Sequence, residues 1–124
     1  MRSWKWQDEL YGATFHLVEG TPADFGRYMK TAFARDVATD GAAHTLLMPV
    51  DFTIVIWLQA MPASALHLSV VAHEAFHATT FVMEHVGITL RDESDEAFAY
   101  YLGWLVRNLV MRLTKRAKPK RKAA

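Results

Sequence analysis

His73-Glu74-Ala75-Phe76-His77 lies inside the run Leu66-His67-Leu68-Ser69-Val70-Val71-Ala72-His73-Glu74-Ala75-Phe76-His77-Ala78-Thr79-Thr80-Phe81-Val82-Met83, and the reading of that run decides the rest of the chain. Its length and apolar content predict a helix, on which residues four apart project from nearly the same face. His73 and His77 can then turn their imidazoles toward one metal ion while Glu74 stands beside it. Two neutral imidazoles suit Zn²⁺. Water can fill an open coordination position, and the glutamate can take a proton from it as it attacks a carbonyl. The competing reading is a core helix whose histidines and glutamate are satisfied by hydrogen bonds alone. Because the run is apolar on both sides of the pentad, burying these groups without partners would cost on the order of several kcal/mol. A metal would answer that cost.

Outward from this helix, Ser64 is placed to cap its start, and Gly87 is placed to end it near Val86 with Ile88 folding back on the last turn. His67, six residues before His73, falls on another face, and His85 reads as a last-turn residue favoured by the helix dipole. Upstream, Phe52-Thr53-Ile54-Val55-Ile56-Trp57-Leu58 is the clearest strand, preceded by a tight hairpin at Val50-Asp51 and by a second strand over Ala43 to Met48. Tyr11 to Glu19 predicts a first strand closed by Gly20-Thr21-Pro22. Thr21 as cap and Pro22 at the first helical position then start a helix to about Arg35, with Phe25, Tyr28, Met29 and Phe33 as its apolar stripe. Downstream, Arg91 to Glu96 is a charged connector whose Asp92 or Ser94 can cap a final helix. Ala97, Tyr100, Tyr101, Trp104 and Leu105 recur there at helical spacing. The expected order is β-α-β-β-α-α in an α+β domain.

Two histidines leave a catalytic zinc site one protein ligand short. The longer signature with a third histidine would need glycine at 80 and histidine at 83, where the chain has Thr80 and Met83. The chain has no cysteine, and the other main solution is a glutamate on a second helix. Glu96, nineteen residues after His77 at the start of the last helix, lies four residues before Tyr100, at the edge of the face expected to turn inward. Glu93 is the substitute; Asp92 and Asp95 belong to the solvated turn.

His73-Glu74-Ala75-Phe76-His77 followed by Asp95-Glu96-Ala97-Phe98-Ala99-Tyr100 resembles the gluzincin metallopeptidases, in particular their small single-domain members. The stretch from Ile56-Trp57-Leu58 to Leu105, with Gly12-Ala13-Thr14-Phe15-His16-Leu17-Val18 ahead of it, also resembles small zinc-peptidase-like proteins of phages and prophages. The resemblance implies a minimal zincin-like fold in which Phe52 to Leu58 borders the cleft and could take a peptide by strand addition. Larger gluzincins add a domain whose histidine or tyrosine steadies the oxyanion, and 124 residues leave no room for one.

The resulting expectation is a zinc metallopeptidase acting on a peptide or protein substrate. His73, His77 and Glu96 hold Zn²⁺, Glu74 is the general base, and Tyr100, or else Tyr101, donates to the tetrahedral intermediate. The alternative is a zinc-stabilised binding or regulatory protein without useful turnover. Composition sets the frame for both. The length suits one domain, expected over residues 1–114, with 52% apolar residues for its core. No apolar run is long enough and uncharged enough for a membrane span, and acidic Asp8 and Glu9 stand where a signal peptide would be apolar, so a cytoplasmic location is expected. The net charge of +1 hides an asymmetry. Seven basic residues and no acidic one lie between Arg112 and Lys122, leaving seven basic against thirteen acidic residues before them. Residues 115–124 are expected to form a solvated, disordered tail, which could also contact nucleic acid.

Overall fold

The computed structural model describes residues 1–49, 51–59 and 64–115. Seven elements follow one another: β1 (Arg2–Gln7), β2 (Thr14–Glu19), α1 (Pro22–Phe33), β3 (Ala43–Met48), β4 (Thr53–Leu58), α2 (Ala65–His85) and α3 (Asp95–Thr114). The order is thus β-β-α-β-β-α-α, one strand more than expected. The added strand alternates Arg2, Trp4 and Trp6 on its partly buried side with exposed Ser3, Lys5 and Gln7, the period-two pattern of a strand with one face covered. The remaining expected elements stand within a few residues of their predicted bounds. From residue 116 on, the expected basic tail lies outside the described residues, as does Val50 of the expected hairpin.

The sheet has the order β1-β2-β4-β3. β1 runs antiparallel to β2, β2 parallel to β4, and β3 antiparallel to β4. β4 is therefore an inner strand, paired on both sides, and all six of its residues are buried. The expectation that Phe52 to Leu58 offers a free edge is corrected: that edge belongs to β3. A continuous apolar run is what a strand covered on both faces requires, and edge strands have no such need.

The two faces of the sheet have separate cores. Phe15, Leu17, Ile54 and Ile56 pack against Val71, Ala75, Ala78 and Val82 of α2 and Tyr101, Leu105 and Leu109 of α3. Val18, Val55 and Trp57 pack against Phe25 and Met29 of α1. There Phe25 stacks on Trp57 with ring centroids 4.7 Å apart, and the indole N–H of Trp57 donates to the Gly20 carbonyl at 3.0 Å. α1 begins with a reciprocal capping box between Thr21 and Asp24. Arg2 closes the fold end to end: its guanidinium donates to both carboxylate oxygens of Glu19 at 2.9 Å and to the Leu113 and Lys115 carbonyls at the end of α3. Among the described residues no helix is long and apolar enough to cross a membrane.

Candidate metal centre

α2 begins at Ser64, whose side chain accepts from the His67 N–H. It ends as the sequence predicts. Gly87 adopts φ +80°, its N–H donates to the Glu84 carbonyl, and the Ile88 N–H reaches back to Met83 at 2.8 Å. Val71, Ala75, Ala78, Val82 and Met83 are buried, and His73, Phe76, His77 and Glu84 share the solvent stripe.

His73 and His77 converge as the spacing requires, with Nε2 to Nε2 at 3.1 Å and ring planes 76° apart. Two nitrogens about 2.05 Å from one ion, a tetrahedral angle apart, stand about 3.3 Å from each other. The pair therefore fits two positions of a zinc ion; without a metal the same contact is a hydrogen bond between one ring's N–H and the other's bare nitrogen. The premise that burial of the imidazoles demands a metal is corrected, because both rings are exposed. The run is apolar all round, but the described residues cover one side only, and Leu66 and Phe76 are exposed as well.

Glu74 is placed differently. At about 100° per residue it stands between the exposed stripe and the face against the sheet. It is only 6% exposed. Its Oε2 accepts the Thr45 hydroxyl at 2.5 Å, and the same hydroxyl lies 3.2 Å from the Glu74 carbonyl oxygen. A buried carboxylate is thus satisfied by a residue of the edge strand β3. Thr45 is the participant that sequence reading misses, because nothing local marks a partner 29 residues away in the chain.

The other expected site residues are not gathered with this pair. Among the described residues no three His, Cys, Asp or Glu side chains form a group able to hold one ion. Glu96 is exposed in the first turn of α3, and Glu93 is exposed in the connector before it. The reason lies in how α3 is rotated. Its buried stripe is Tyr101, Leu105, Leu109 and Leu113, so Glu96 and Tyr100 share a solvent face rather than an inward one. Tyr100 is 76% exposed. It lines a cleft of about 640 Å³ whose other walls include Asp8, Tyr11, Tyr101, Trp104 and Arg107, and neither histidine. Tyr101 is a core residue there: its hydroxyl donates to Asp8 at 2.9 Å, and burial, reinforced by that carboxylate, holds its pKa far above the ordinary tyrosine value.

A shallower groove of about 490 Å³ begins beside the pair. It runs from Phe76 past Thr80 and Glu84 to Ile88, Leu90 and Phe98, so the first turns of α3 lie along the C-terminal half of α2. No protein-family model, curated protein or solved structure matches the chain.

Proposed function

We propose that this protein is a zinc-dependent hydrolase of peptide amide bonds, with His73 and His77 as two metal ligands, Glu96 as the third and Glu74 as general base. The observation that carries the reading is the convergence of the two Nε2 atoms at 3.1 Å on an open helix face, one residue from a carboxylate held in place. Zinc held by His73 and His77 would supply a Lewis acid for the scissile carbonyl and would acidify a water. Glu74 has the chemistry of a general base, able to take a proton from a water and pass it to a leaving amine. Its Oε2 accepts the Thr45 hydroxyl. The exposed stripe of α2 gives a peptide access, and β3, the edge strand that reaches Glu74, is the strand on which an extended substrate would add.

A second reading is a zinc-stabilised binding or regulatory protein without turnover. Positions left open on the metal would then be filled by a partner molecule.

Glu74→Gln separates the two. The amide is nearly isosteric and leaves both histidines in place, yet it cannot accept a proton as a carboxylate does. The variant should keep its zinc while hydrolysis of a mixed peptide library, read by mass spectrometry, falls by about two to four powers of ten. Wild-type protein that cleaves nothing supports the second reading, and equal cleavage by the variant removes Glu74 from the mechanism.

A further inference from the structure

We propose that the cleft between α3 and the β1–β2 turn binds single-stranded nucleic acid, with Tyr100 and Trp104 stacking on a base and Arg107 pairing with a phosphate. The site shares no residue with the histidine pair and stands apart from the hydrolase reading.

Three observations converge there. The cleft, of about 640 Å³, is walled by Leu10 and Tyr11 on the turn and by Tyr100, Tyr101 and Trp104 on the helix. Tyr101 packs against Tyr11 and Trp104, with ring centroids 5.6 Å and 5.3 Å away. Tyr100 is 76% exposed and Leu10 73%. A nucleobase offers a flat apolar face to such rings and keeps its polar edges for water or hydrogen bonds.

The second observation is Arg107, which lines the same cleft and has no carboxylate partner among the described residues. It follows Trp104 by three residues and Tyr100 by seven, so the three share one stripe of the helix. Such a group can hold the backbone of a strand whose base lies on the rings.

The third is the distribution of charge. From Ala97 to Ala124 the chain has eight basic side chains and no acidic one, against six basic and thirteen acidic in residues 1–96. Past Arg107 the same stripe reaches Met111, 62% exposed, and then Lys115. Five more basic residues follow in 116–124. Open rings beside an unpaired guanidinium on a basic helix combine the two elements that single strands require, a stacking surface and a charge track for phosphates.

Two carboxylates also line the cleft. Asp8 is 3% exposed and already accepts the Leu10 and Tyr11 N–H groups and the Tyr101 hydroxyl, so it builds the wall. Glu9 is exposed, and its carboxylate can accept the exocyclic amine of a cytosine. An organic cation, which aromatic walls also attract, would meet Arg107. A duplex keeps its base faces in the stack and could use the charge but not the rings.

Fluorescence anisotropy on the full chain tests the site, with a labelled strand of about 12 nucleotides of thymine and cytosine and a duplex of the same length. Tyr100 and Arg107 are both exposed, and circular dichroism checks that their variants fold. Tyr100→Ala should weaken single-strand binding about tenfold, with Tyr100→Phe close to wild type and duplex binding unchanged in both. Arg107→Gln should reduce the slope of log affinity against log salt by about 0.7, the share of one phosphate on a single strand. Arg35→Gln, the same charge change at an exposed residue after α1, should leave the slope unchanged. Glutamine at the five basic positions from 116 to 122 provides the comparison for charge alone. If that variant loses binding while Tyr100→Ala and Arg107→Gln keep it, the cleft is not the site and the proposal falls. Equal affinity for strand and duplex, tighter binding of polyglutamate than of the strand, or no binding by the wild type overturns it as well. None of these outcomes depends on whether the chain takes zinc.

Discussion

At the scale of single residues, the balance between burial and partner decides what each polar side chain can do. Glu74 is buried and tied to Thr45, whereas His73 and His77 are exposed and face each other. His16 shows the same balance in the opposite core. It is buried against Phe33 and Tyr28, its Nδ1 lies 2.6 Å from the Tyr28 hydroxyl, and Lys5 pairs across from it on β1. Burial, then the Lys5 charge, lowers its pKa below the ordinary 6.5. A histidine that protonates less readily when folded stabilises the fold in its neutral form. That contribution is complete above about pH 6.5 and is lost as pH falls toward the folded pKa, because the unfolded chain then binds the extra proton. Urea denaturation of the metal-free protein should therefore show stability declining from about pH 7 to pH 5, and His16→Gln should flatten that slope. An unchanged slope would assign it to another group. Asp24, whose pKa the Thr21 backbone N–H and hydroxyl hold below the ordinary 3.8, acts at lower pH, outside this window. The histidine pair was legible in the sequence because its geometry is local. The partners of Glu74 and His16 were not, since they depend on strand register and on which face of α1 meets the sheet.

Among the elements, legibility follows the strength of the local signal. β4 reads plainly as a buried strand because a run from Thr53 to Leu58 with no charged residue has few other uses. The end of α2 reads just as plainly, since Gly87 supplies the left-handed residue that closes the helix. Gly87→Ala should lower stability by about 1–2 kcal/mol, the cost of a side chain in that region of backbone space. Thermal or urea unfolding would read it, and a loss below about 0.3 kcal/mol would show that the turn relaxes. β1 escaped notice although its alternation is regular, because a strand that begins at the second residue looks like a terminus until Trp4 and Trp6 are seen to cover α3. The rotation of α3 was the larger miss. Ala97, Tyr100, Tyr101 and Trp104 make as good a stripe on paper as Tyr101, Leu105, Leu109 and Leu113 do in the fold. The tie is broken by contacts far along the chain, among them the bond from Tyr101 to Asp8 and the Arg112 guanidinium 3.8 Å above the Trp6 ring. One step of rotation moves Glu96 and Tyr100 from an inward face to solvent.

For the molecule as a whole, three layers of described residues leave one helix face uncovered, and His73 and His77 lie on it. α1 covers one side of the sheet, and α2 with α3 covers the other. The outward stripe of α2 carries His73, Phe76 and His77 and continues into the groove that ends at Phe98, and Glu74 at its flank bonds to Thr45 of β3. A metal, if bound, would sit along this seam, and the third ligand is the part that the described residues do not assemble. Both readings of the metal centre depend on whether that seam holds a metal. The direct measurement is elemental analysis of protein purified without added metal, followed by zinc titration of the wild type and of the His77→Ala, Glu96→Ala and Glu74→Gln variants. Close to one zinc per chain is expected in the wild type and in Glu74→Gln, loss of zinc in His77→Ala, and weaker retention in Glu96→Ala. A wild-type chain that carries no zinc and takes none up on titration would contradict that expectation.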